Sequence, residues 1–276
     1  MEKDVNEMSF LDHLEELRWH LIRATLSIVL VGTIAFIFSR SLFKLIIFAP
    51  TEMSFPTYRL LCEAGKLINV ESSFCNEALP MIIQNRTMAG QFSADIWTSI
   101  LAGFIISFPY VIYQLWKFIS PGLMPKERKY SKGFIIISSL LFFLGVLFGY
   151  YVVCPLSINF LANYSISDVV DNQIDISSYI ALVRSASLAS GLVFELPIII
   201  YFLTKIGLVT PETLKKYRKY ALVIVLILSA IITPPDIASQ IIVAIPILIL
   251  YQVSIYISKV VVKNQQKQAQ KNVRSS

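Results

Sequence analysis

The chain has 276 residues, of which 55% are hydrophobic and 15% charged, with a formal net charge of +6. A soluble domain of this length needs far more surface charge, so the composition excludes a soluble globular protein and indicates a polytopic membrane protein of one domain. The excess cations sit in short clusters beside apolar runs, which argues for topology signals and against a nucleic-acid partner.

The first element is SFLDHLEELRWHLIR, where Leu11, Leu14, Leu17 and Leu21 share an apolar helical face and Ser9 with Asp12 makes a capping box. It leads into a span at 21–38. Acids precede this run and no small-residue cleavage pattern follows it, so it is expected to stay as an anchor and not to be removed as a leader. The capping box accounts for Asp12 and leaves Glu15 and Glu16 unexplained. A long loop, 39–91, follows; it holds Cys62 and Cys75, which can close a disulfide if the loop faces an oxidising compartment, two unpaired thiols being the alternative. Further spans are predicted at 92–119, 133–153 and 180–203. A last apolar stretch, split by TPPD, reads as a hairpin with arms 221–232 and 237–257, and 261–276 as a disordered polar tail. The first arm has about 18 Å of rise, well short of a bilayer core of about 30 Å, unless Lys219 and Tyr220 extend it by snorkelling.

Cations fill alternate connections: Lys117, Lys126, Arg128, Lys129 and Lys132, then Lys205, Lys215, Lys216, Arg218 and Lys219, then Lys259, Lys263, Lys267, Lys271 and Arg274. The stretch from Cys154 to Ser178 and the TPPD turn carry no lysine or arginine, and 39–91 balances its cations with Glu52, Glu63, Glu71 and Glu77. The positive-inside rule then puts both termini in the cytoplasm and makes the fold an all-α bundle of six membrane helices.

Several chemistries are missing. There is no GxxxxGK[ST] loop, no GxSxG element, no HExxH pattern and no cysteine–histidine cluster around His13 or His20, so neither an enzyme nor a metal or cofactor site is expected. Polar groups inside the spans are more telling. Glu195, in GLVFELPIII, costs about 2.5 to 3.5 kcal/mol in a membrane helix, and Pro197 bends that helix beside it. Arg184 lies eleven residues earlier, about 16 Å away by helix rise, too far to pair directly. Thr233, Asp236 and Gln240 gather at the hairpin turn, where Asp236 is either a helix cap or part of a polar site. In FISPGLMPKERKY, Glu127 stands alone among cations and can pair locally with Arg128 or Lys129.

Four separated motifs, HLEELR, FPYVIYQLWKFISPGL with MPKER, FELP, and TPPDIASQ followed by AIP, resemble the twin-arginine translocase receptor subunit, the TatC family. The resemblance touches every span. It implies a concave, glove-like six-helix bundle, its last two helices short, in the cytoplasmic (inner) membrane that receives twin-arginine signal peptides of folded cargo proteins. It implies small single-span partners of TatA or TatB type, self-association, and use of the proton-motive force without nucleotide hydrolysis. Carried onto this sequence, the twin-arginine contact falls on Glu16 and Glu127, with Arg18, Phe118 and Pro121 shaping the same surface; paired carboxylates suit two planar guanidiniums. Glu195, Thr233, Asp236 and Gln240 correspond to the intramembrane polar positions where partners dock. Glu15 departs from the family's usual apolar residue, and the 39–91 loop is longer than in many relatives. A rival reading, a secondary transporter with Glu195 as the coupling carboxylate, lacks support from any internal repeat.

Overall fold

A computed structural model describes residues 10–67, 75, 78–120, 131–167, 172–233 and 237–275. The expected residues Ser9, Pro121, Glu127 and Asp236 lie outside these. The described α-helices of six residues or more are α1 (Phe10–Ile37), α2 (Pro56–Leu67), α3 (Gly90–Ile119), α4 (Ser131–Phe148), α5 (Cys154–Asn163), α6 (Ile176–Phe194), α7 (Leu196–Lys205), α8 (Pro211–Lys216), α9 (Arg218–Ile232) and α10 (Ile237–Ser275). A π-helical turn, Gly149–Val153, joins α4 to α5 without a break.

Among the described residues, five stretches are long and apolar enough to cross a membrane: Leu14–Ile37, Gly90–Ile119, Gly133–Asn163, Ile176–Lys205 and Ser239–Lys267, the last of which, at 29 residues, is not the short helix expected there. The sixth predicted span is α9, whose 15 residues begin at Arg218, one turn earlier than its apolar run. That gives about 22 Å of helix, still short of a typical core.

Two further expectations need amending. The all-α prediction misses a two-stranded parallel pair, β1 (Ile82–Gln84) on β2 (Gln173–Asp175). Strands of three residues are too short to show a period of two, and their pairing joins segments far apart in sequence. The tail predicted to be disordered is instead helical, continuing α10 to Ser275. Its glutamines, lysines and alanine are good helix formers, and Gln265 Nε2 donates to the Lys205 carbonyl at 3.0 Å.

Backbone contacts group the chain into two compact units. One takes the chain up to Ala49 with Ile82–Phe143 and Gln173–Arg184. Its centre is the antiparallel pair α1 and α3, in close backbone contact at Gly32 and Gly103: a Cβ on Gly103 would stand 2.6 Å from the Ile28 carbonyl oxygen and 2.7 Å from Gly32 Cα. Phe108 stacks on the fully buried Phe142 at 3.6 Å between ring centroids. At the β pair, Arg86 donates its guanidinium to the Gln173 carbonyl and its amide to Asp175.

The other unit takes Pro50–Met81, Leu144–Asn172 and the chain from Ser185 onward. Here α2 rests against α5 and the π turn. The Tyr58 hydroxyl donates to the carbonyls of Pro50 and Pro155, and burial pushes its phenol well above the usual range. Cys62 is joined to Cys75 by a disulfide, Cα–Cα 5.0 Å, while Cys154 is a buried free thiol. Gly207, at φ +79°, turns the chain out of α7 in a conformation that favours glycine, and Thr210 with Pro211 starts α8. Then α7 packs on α10 through a 2.9 Å hydrogen bond between Thr204 and Ser258.

Candidate functional site

On α1, Glu16, Trp19, His20 and Arg23 recur at helical spacings of three, four and seven and line one open cavity of about 340 Å³. This stretch of α1 is fastened to α3. His20 Nδ1 lies 2.7 Å from Oε1 of the buried Gln114, and because that oxygen only accepts, Nδ1 carries the proton. Farther along the pair, the Ser107 hydroxyl donates to the Ser27 carbonyl at 3.2 Å, and Gly103 meets Gly32. These contacts share one antiparallel register, and continuing it toward the start of α1 brings Glu16 level with Phe118. Both are half-buried. Trp116, buried beside Phe118, packs on Phe134 at 4.6 Å and fixes the end of α3.

Arg18 does not line the cavity. Two residues beyond Glu16, it is turned some 200° around the helix, and Arg23 supplies the cation there instead. The family resemblance grouped Arg18 with Glu16, and Trp19 and Arg23 were not singled out, although their spacing from Glu16 is visible in the sequence. The segment carrying Pro121 and Glu127 leaves α3 immediately after Ser120 and lies outside the described residues.

The second group of predicted residues belongs to the other unit. Glu195 stands between α6 and α7 and is 7% exposed. Its carbonyl accepts the amides of both Ile198 and Ile199 at 3.0 Å, and Pro197, which has no amide hydrogen, stands at the start of α7. The break in the helix is therefore a proline effect centred on the carboxylate. Thr233 is buried and donates its hydroxyl to the Ser229 carbonyl at 2.8 Å, closing the end of α9. Gln240 Nε2 reaches from α10 to the Leu226 carbonyl at 3.0 Å, so it ties the two hairpin arms together. The Thr204–Ser258 contact sets the alignment of α7 along α10 and places Glu195 about level with Ile249, roughly 13 Å of rise beyond Gln240. Glu195 and the hairpin pair thus occupy different depths of one unit.

Among the described residues, no cluster of three or more histidines, cysteines or carboxylates could hold a metal ion. What the arrangement offers is recognition: a carboxylate with aromatic and imidazole neighbours in an open cleft, and buried polar side chains within apolar helices.

Comparisons with known proteins identify the family. The family model described as "Sec-independent protein translocase protein (TatC)" matches residues 12–246. The TatC protein of Blattabacterium sp. subsp. Periplaneta americana is 46% identical over 266 residues, covering 96% of this chain and all of that one. The TatCy protein of Bacillus subtilis is 34% identical over 263 residues, covering 95% and 93%. Among solved structures, a crystal structure of the twin-arginine translocase receptor TatC superposes with a TM-score of 0.69 at 33% identity, covering 91% of this chain and 99% of that one. A solute transporter is thereby set aside. The chain belongs to the TatC family of Sec-independent protein translocase proteins, a multi-pass membrane component of protein transport.

Proposed function

We propose that this chain is the receptor and core subunit of a twin-arginine translocase, binding the signal peptides of folded cargo on its cytoplasmic face. Glu16 and Glu127 each take one guanidinium of the twin-arginine pair, since a carboxylate held in place accepts a planar bidentate donor that lysine cannot imitate. Phe118 and Pro121 shape the surface around them. The observation that carries this reading is the α1–α3 register, which sets Glu16 level with Phe118 at the point where the chain departs toward Glu127.

In the same reading, both termini are cytoplasmic, as the clustered cations favour, and the six helices form the concave bundle that the family resemblance implies. Small single-span subunits of TatA or TatB type dock at Glu195, Thr233, Asp236 and Gln240, where a polar group on a partner helix finds hydrogen-bonding side chains that lipid does not provide. Cargo crosses at the expense of the proton-motive force, without nucleotide or cofactor.

The test is binding of a twin-arginine signal peptide to the purified chain in detergent, beside its twin-lysine version. Glu16→Ala and Glu127→Ala should each weaken twin-arginine binding about tenfold, or ~1.4 kcal/mol, and erase the preference over lysine. Equal binding by all combinations would refute the receptor site.

A further inference from the structure

The helix α2 (Pro56–Leu67) has three faces. Tyr58 and Gly65 are buried against the rest of its unit. The exposed residues divide into a charged edge, Arg59, Glu63 and Lys66, and an apolar edge, Leu60, Ala64 and Leu67, whose leucines are 66% and 86% exposed. At 100° per residue the two edges are about a quarter turn apart. A helix surrounded by water gains nothing by keeping such edges separate; one lying at a membrane surface does.

The attachment of α2 sets its depth. The apolar helix that starts at Gly133 crosses a core of about 30 Å in about 20 residues, so it reaches the far boundary near Val153. That is where α2 is fastened: the Thr57 hydroxyl donates to the Tyr151 carbonyl and the Tyr58 hydroxyl to the Pro155 carbonyl. The same level carries an aromatic cluster, with Phe55 stacked on Tyr151 at 5.4 Å and edge-on to Tyr150 at 5.6 Å. Aromatic side chains gather in this way where hydrocarbon meets headgroups. Cys62 projects between the buried face and the charged edge, so the disulfide to Cys75 leaves α2 on the side away from the leucines.

We propose that α2 lies in the plane of the membrane, with the Leu60, Ala64 and Leu67 edge seated in the boundary between headgroups and acyl chains and the Arg59, Glu63 and Lys66 edge in water. The loop after α1 is then a lipid-contacting element that braces the end of the α4–α5 helix, and its disulfide secures the water side.

The full-length protein in nanodiscs of phosphatidylethanolamine and phosphatidylglycerol tests this. A nitroxide attached through a genetically encoded ketone residue at position 60, 67 or 63 leaves the native cysteines untouched. The ratio of collisions with oxygen to collisions with a water-soluble nickel chelate should be several-fold higher at 60 and 67 than at 63. A ratio at 60 and 67 equal to that at 63 overturns the proposal, as does low access to both reagents, which would mean that protein covers this edge. A photoactivatable phospholipid applied to the unlabelled protein gives a second reading: adducts on 60–67 support the proposal, and adducts confined to the spanning helices overturn it.

Discussion

Asp175 shows how one side chain can organise a junction between distant segments. Its carboxylate accepts the amides of Ser177 and Arg86, and the Ser177 bond foremost holds the carboxyl below its usual range. A depressed folded value means that the stabilisation is fully present above the ordinary aspartate pKa of about 3.9 and is lost as pH falls through the lower folded value. The β1–β2 junction should therefore be pH-independent near neutrality and loosen below about pH 4, and Asp175→Asn should abolish that dependence, read from the Arg86 amide chemical shift across a titration. Gln114 is the corresponding case inside the bundle. Gln114→Leu leaves the proton on His20 Nδ1 without its acceptor and should cost about 1–3 kcal/mol, seen as a lower unfolding midpoint in detergent, while Gln114→Glu keeps an acceptor and most of the stability. Glu16 stands out in the sequence because acids at the approach to a membrane helix call for a reason. That Arg23 and not Arg18 shares its helical face follows from spacing alone, whereas the face of α1 that meets α3 is set by tertiary contact.

At the scale of elements, the α1–α3 pair depends on close backbone approach. Gly103→Val would drive a branched side chain into the Ile28 carbonyl and Gly32, so the helices must separate, at a cost of about 1–3 kcal/mol. The same separation would shift Glu16 relative to Phe118. The variant is expected to lose both thermal stability and preference for twin-arginine over twin-lysine peptide, whereas Gly133→Ala, where an added Cβ meets open space, should change neither. The long helices were readable from hydropathy because each is a continuous apolar run long enough to cross a bilayer core. The β pair was not, since three-residue strands carry no periodic signal. Nor was the helical tail, where polar composition resembled disorder and a tertiary contact from Gln265 to Lys205 holds the helix in place.

For the whole molecule, the outstanding length is that of α9, about 22 Å against a core of about 30 Å. Mismatch costs fractions of a kcal/mol for each ångström, so the unfolding midpoint of the reconstituted protein should fall progressively as lipid acyl chains lengthen. On the proposed function, signal-peptide binding involves α1 and α3 and should stay constant over the same series; a midpoint insensitive to chain length would mean that a neighbouring segment relieves the mismatch. The sequence by itself determined that the chain is a multi-pass membrane protein, where its apolar runs lie, and through four spaced motifs which family it belongs to, because hydropathy and motif spacing are properties of local runs. Only the tertiary structure decided the α1–α3 register, the depth at which α2 is fastened, the pairing of β1 with β2, and the separation in depth of Glu195 from Gln240. Each of these is a contact between residues distant in the chain, set by helix rotation and close packing, and no local period encodes it.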